Sequence, residues 1–74
     1  PAALDLRGEV CPYTFLRARL ALEPLGPGAV LRLLIDSEPS ARDVPRSLAS
    51  AGHQVVATAR RADGVFVIDI RRGG

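Results

Sequence analysis

The chain has one cysteine, no methionine, no tryptophan and no lysine, and its only aromatic residues are Tyr13, Phe15 and Phe66. Each shortage removes a class of protein. A single cysteine cannot form an intramolecular disulfide, which excludes the cysteine-rich secreted scaffolds and suits a thiol kept reduced in the cytosol. No apolar run approaches the ~20 residues of a membrane span, and no segment reads as a signal peptide. A cytoplasmic location without a membrane partner is therefore expected. Binders of single-stranded nucleic acid stack bases on aromatics, and binders of duplexes carry a basic stripe. Three aromatics and a formal charge of +2 supply neither, so direct nucleic-acid binding is not expected. One cysteine and one histidine, His53, make no persuasive metal site, and no cofactor is expected.

What is present reads as one domain over residues 1–74, with 73–74 as a flexible tail. All ten basic residues are arginines, interleaved with the eight carboxylates as on a solvated mixed-charge surface. "ALDLR" (3–7) alternates, with Leu4 and Leu6 on one side and Asp5 and Arg7 on the other, and predicts a half-buried strand ended by Gly8. Pro12 stands where a first helical residue belongs. From Tyr13 to Leu25 a helical stripe of Phe15, Ala18, Leu22 and Leu25 follows, with Ala21 at its edge. A second helix face holds Tyr13, Leu16, Arg17 and Leu20, of which Leu16 and Leu20 are expected to pack on the second helix.

"AVLRLLID" (29–36) predicts a strand with Leu31, Leu33 and Ile35 on its buried face. "SEPSARDVP" (37–45) reads as a polar connection in which Ser40 and Asp43 resemble a capping box. It leads to a helix with a Val44, Leu48, Ala51 stripe that Gly52 stops; a start at Asp43 would put Pro45 in the first turn. "HQVVATARR" and "GVFVIDIRR" predict two strands joined around "ADG", with Phe66, Ile68 and Ile70 as a core row. His53 reads as a loop residue or a cap at the start of the third strand. The order is β-α-β-α-β-β, and a crossover between the first two strands makes them parallel. The expected fold is α+β, a two-layer α/β sandwich with a four-stranded mixed sheet and both helices on one face. Asp5, Arg7, Arg32, Thr58, Arg60, Asp69 and Arg71 then lie on an open, charged face.

With Pro12 as the first helical residue, Cys11 is the N-cap. A helix N-terminus presents unpaired N–H groups and about half a positive charge, which stabilises a thiolate and raises its nucleophilic fraction at neutral pH. Lone cysteines are more often inert apolar filler. Here Cys11 belongs to no apolar stripe, Gly8 and Glu9 make the preceding loop polar, and Pro12 fixes the helix start, which favours a reactive thiol. The chain holds no second cysteine to resolve a disulfide. Cys11 and His53 lie at opposite ends of their helices, so a Cys–His pair is not expected. A thiol that carries something between other proteins remains.

These residues resemble the TusA/SirA-like family of bacterial sulfur carriers. "LDLRGEVCP" is similar to the family opening that leads into Cys-Pro, and "GPGAVLRLLID", "DSEPSARDVP", "GHQV" and "IDIRR" are similar to its later segments. The resemblance implies that Cys11 accepts a sulfane sulfur as a persulfide from a donor such as a cysteine desulfurase or a rhodanese-like protein. It passes the sulfur to an acceptor protein thiol, in tRNA thiolation, cofactor assembly or sulfur metabolism. It implies the same β-α-β-α-β-β sandwich and a supporting role for Gly8, Pro12, Asp36, Arg42, Asp43 and Pro45 in loop architecture or docking. The family motif is Cys-Pro-x-Pro, whereas this chain has Cys11-Pro12-Tyr13-Thr14. Tyr13 and Arg17 flank the thiol as candidates for partner choice. Two rival readings stand beside this one. "RRGG" resembles the end of the ubiquitin-like carriers that form a C-terminal thiocarboxylate, and the open sheet face suits a non-catalytic RNA- or protein-binding module.

Overall fold

The computed structural model describes residues 2–9 and 13–73. They form β1 (Ala2–Asp5), α1 (Tyr13–Leu22), β2 (Val30–Ile35), α2 (Glu38–Ser50), β3 (Gln54–Arg60) and β4 (Phe66–Arg71). The sheet order is β1-β2-β4-β3, with β1 parallel to β2 and the other pairs antiparallel. This is the expected two-layer sandwich with a mixed sheet. Leu6, Leu31, Leu33, Ile35, Ile68 and Ile70 meet Ala18, Leu22, Val44 and Leu48 in one buried core. Phe15, Ala21, Leu25 and Phe66 pack around it, half-buried.

The helices differ from expectation in two places. The second begins at Glu38 rather than near Asp43: Ser37 is the N-cap residue, Pro39 lies in the first turn, and Ala41 N–H donates to the Ser37 carbonyl at 2.9 Å. Ser40 is therefore not a cap. It is buried and extends the inner stripe to Ser40, Val44 and Leu48, while Ala51 is exposed at the C-cap. Pro45 sits inside the helix, where it removes one i→i−4 hydrogen bond. The helix ends in a Schellman arrangement: Gly52 N–H donates to Ala49 O, His53 N–H donates to Leu48 O, and Gly52 has φ +99°. The second correction concerns Leu16 and Leu20. They are 47% and 53% exposed, because α1 meets α2 through Thr14 instead, whose hydroxyl lies 3.5 Å from that of Ser40.

The third strand carries a bulge between Val55 and Ala57. Before it, Val55 pairs with the core residue Ile70; after it, Thr58 pairs with Ile68 and Arg60 with Phe66. One extra residue inverts the alternation. Thr58 and Arg60 therefore lie on the helix side of the sheet and not on the open face, where unbroken alternation would put them. Arg7 also leaves the sheet, since β1 ends at Asp5.

Gly73, expected to belong to a flexible tail, is held: its N–H donates to His53 Nδ1 at 3.0 Å, and its carbonyl accepts from the Arg72 guanidinium at 3.1 Å. A Cβ at Gly73 would stand 1.8 Å from the Gly52 carbonyl oxygen. Gly74 lies outside the described residues. Gly73→Ala should therefore lower the stability measured by urea unfolding by about 1–3 kcal/mol. Gly26→Ala, with open space at its Cβ, should leave it within about 0.5 kcal/mol.

Candidate functional site

The carboxyl ends of the two parallel strands carry Asp5 and Asp36. Beyond β1, Leu6 N–H still donates to Leu34 O at 2.8 Å, and the Leu6 side chain is fully buried. The chain then turns. Glu9 N–H donates to Leu6 O at 3.1 Å, and Gly8 takes φ +82°, a left-handed conformation that glycine adopts without a Cβ penalty. Two carboxylates hold this turn. Asp36 Oδ1 accepts from Gly8 N–H at 3.0 Å, which ties the loop after β1 to the end of β2. Asp5 accepts from Arg7 N–H at 3.0 Å and from its guanidinium at 2.9 and 2.7 Å. Those Arg7 hydrogen bonds hold the Asp5 carboxyl down to about 2, so it stays charged well into acid.

Cys11 and Pro12, with Val10 before them, lie outside the described residues. The described residues nearest them are Glu9 and Tyr13. Glu9 is ion-paired with Arg17, which links the end of the loop to the second turn of α1. Tyr13 is 64% exposed, and Leu16 and Leu20 share its side of the helix at i, i+3, i+7 spacing, with Arg17 between them. Beneath, Thr14 is fully buried against Ser40. Thr14 stands where the family motif has a second proline.

The predicted site residues thus separate into two groups. Gly8, Asp36, Tyr13 and Arg17 belong to the β1–α1 connection and its supports. Arg42, Asp43 and Pro45 lie on α2, where Arg42 Nε reaches the adjacent Asp43 at 3.4 Å on an exposed surface, a pairing of little energetic weight. No hydrogen bond joins them to the loop among the described residues. His53, just beyond the end of α2, uses its Nδ1 to accept the Gly73 N–H. Sequence reasoning missed Glu9 and the buried hydroxyl pair Thr14–Ser40. An acid eight residues before an arginine, or two hydroxyls twenty-six apart, gives no periodic signal.

On the open sheet face, Arg32 makes a two-point pair with Asp69 at 2.9 and 3.1 Å, and Arg71 donates to Gln54 at 3.2 Å. The Arg32 hydrogen bond in turn depresses the Asp69 pKa. With Thr58 and Arg60 turned away, this face has no unbroken basic stripe for a nucleic-acid backbone. Among the described residues, no helix is long and apolar enough to cross a membrane. Asp36→Ala should cost about 1 kcal/mol in urea unfolding and speed amide exchange at Gly8, whereas Asp36→Asn, which keeps an acceptor, should cost less.

The chain matches the family described as sulfurtransferase TusA over residues 2–72. A protein of Archaeoglobus fulgidus, provisionally named a sulfur carrier protein, is 45% identical over 69 residues, 93% of this chain and 78% of that one. A similarly named protein of Methanocaldococcus jannaschii is 32% identical over 93% of this chain and 91% of its own. The solved structure of a SirA-like protein from Desulfitobacterium hafniense superposes with a TM-score of 0.86 at 29% identity, with both chains covered completely.

Proposed function

Because the chain belongs to the sulfurtransferase TusA family, we propose that it carries sulfur as a persulfide on Cys11 and relays it between protein thiols in the cytoplasm. The observation that carries this reading is the position of the single cysteine. Cys11 falls two residues before the first residue of α1, in a connection whose near end is held by Asp36 and whose flanks are joined by the Glu9–Arg17 pair. Gly8 on one side of the cysteine and Tyr13 on the other are exposed, which supports access for a partner, and thiol exchange requires access more than a deep pocket.

The chemistry is a pair of exchanges without net oxidation. The Cys11 thiolate attacks the outer sulfur of a donor persulfide; the donor S–S bond breaks and the donor departs as a thiolate. The outer sulfur is now bonded to the Cys11 sulfur. An acceptor thiolate then attacks that outer sulfur, and Cys11 leaves as a thiolate. The helix N-terminus lowers the pKa of a thiol at its cap, which favours both the attacking and the leaving form. A cysteine desulfurase or a rhodanese-like protein is the proposed donor, and the acceptor serves tRNA thiolation, cofactor assembly or sulfur metabolism. The rival thiocarboxylate chemistry at a Gly-Gly end gains no support from Gly73, which is packed against Gly52 and hydrogen-bonded to His53.

Incubation with a cysteine desulfurase and cysteine, or with a small-molecule persulfide, should add one sulfur atom to the intact mass, removable by reductant. Cys11→Ser should not gain it, and failure of both donors on a thiol that iodoacetamide alkylates would sink the reading. We assign Tyr13 and Arg17 to partner choice. Tyr13→Ala/Arg17→Ala should lower kcat/KM for sulfur transfer about tenfold, mainly through KM. The rate of iodoacetamide alkylation against pH, which reports the thiol pKa, should stay unchanged.

A further inference from the structure

A second surface, distant in sequence from Cys11, is built for a ligand of its own. Between the first turns of α2 and the β3–β4 hairpin lies a cleft of about 240 Å³ lined by Glu38, Ala41, Arg42, Thr58, Arg60 and Phe66. The bulge in β3 creates it by turning Thr58 and Arg60 onto the helix side. Bulges interrupt the ladder, and one of their uses is to re-aim a side chain. Arg60 lies over the Phe66 ring at 5.2 Å from its centroid. That stacking occupies a face of the guanidinium and leaves its edge donors, the groups that grip a carboxylate. Arg60 has no carboxylate partner among the described residues, and Arg42 has only its neighbour Asp43 at the long distance of 3.4 Å. The lining holds two guanidiniums against one carboxylate, Glu38, with the Thr58 hydroxyl as a further donor; Asp43, outside the lining, offsets part of the Arg42 charge and leaves Arg60 as the cation without an acidic partner among the described residues.

We propose that this cleft docks a glutamate or aspartate side chain from a segment of a partner protein. The complement of its charge is one carboxylate, and Phe66 and Ala41 offer apolar surface for the stem. The cleft is smaller than the pockets of about 300–1,000 Å³ that enclose small molecules. None of its lining residues is buried, so a free carboxylate would meet guanidiniums well screened by water. Inside a larger protein contact the same groups lose water and bind strongly. Recognition runs through side chains, since the bulge spoils the outer edge of β3 as a template for strand addition. The site does not depend on sulfur carriage.

Nitrogen-15 NMR titration with a blocked peptide of alternating glutamate and serine tests it. Saturable shifts are expected at the amides of Ala41, Arg42, Thr58, Ala59 and Arg60, equally in wild type and in Cys11→Ser. Arg42→Gln and Arg60→Gln should each weaken binding about fivefold or more, while Arg19→Gln, an exposed arginine of α1, should not. The matching glutamine–serine peptide should bind about tenfold more weakly or not at all. The proposal is overturned if the two peptides bind alike or Arg19→Gln weakens binding as much as Arg60→Gln. It is equally overturned if shifts fall elsewhere or are absent at the solubility limit. Glutarate saturating the same amides as tightly as the peptide would also overturn it, since the cleft would then be a site for free carboxylates.

Discussion

Burial of Leu31, Leu33 and Ile35 against both helices is the constraint on which the other features rest. These residues share one face of β2, which takes β1 in parallel on one edge and β4 antiparallel on the other. A slip of one residue would turn all three to the open face, so the core fixes the register. The register fixes where β2 ends, and therefore where Asp36 stands. From that position its carboxylate reaches Gly8 and holds the turn that leads toward α1. A hydrophobic row thus sets the geometry of a polar loop with which it has no chemistry in common.

Most of the architecture was legible because strong period-two and period-3.6 patterns specify it. Leu31, Leu33, Ile35, Ile68 and Ile70 are buried as their alternation requires, and Ala18, Leu22, Val44 and Leu48 as their helical spacing requires. The misplacements arise where a local pattern competes with a tertiary contact. Leu16 and Leu20 have the spacing of a packed face, but Thr14 and Ser40, both polar, make the contact between the helices. Paired hydroxyls satisfy one another and bury at little cost, while two leucines remain in water. At α2, the capping resemblance of Ser40 and Asp43 lost to Ser37 and Pro39, and the helix continued through Pro45.

The inverted half of β3 had one signal in the sequence. Val55 and Val56 stand side by side, two branched apolar residues where alternation allows one, and the bulge falls there. The candidate site was legible in part for a similar reason. Gly8 and Asp36 belong to recognisable segments, and the structure joins them by one hydrogen bond. Glu9 and Arg17, eight residues apart, share no periodic pattern, and only the fold brings them together. The same holds for the open face: its arginines are easy to count, but their charge is offset by Asp5, Asp69 and the withdrawal of Arg60.

The parallel pairing of β1 also bears on how the chain comes to have its shape. β3 and β4 are neighbours in sequence and meet across a tight turn, with Arg61 N–H on Val65 O at 2.8 Å and Gly64 at φ +87°. β1 is short and peripheral, and Ala2 must find Leu31 across the whole of α1. Loop closure of that length costs entropy before any contact rewards it. Sequence separation therefore predicts that the hairpin forms early and that β1 docks late. The hydrogen bond from Gly8 to Asp36 can form only then, so a growing chain lacks the tie at the start of the β1–α1 connection until β2 has been made and the sheet is closing around it.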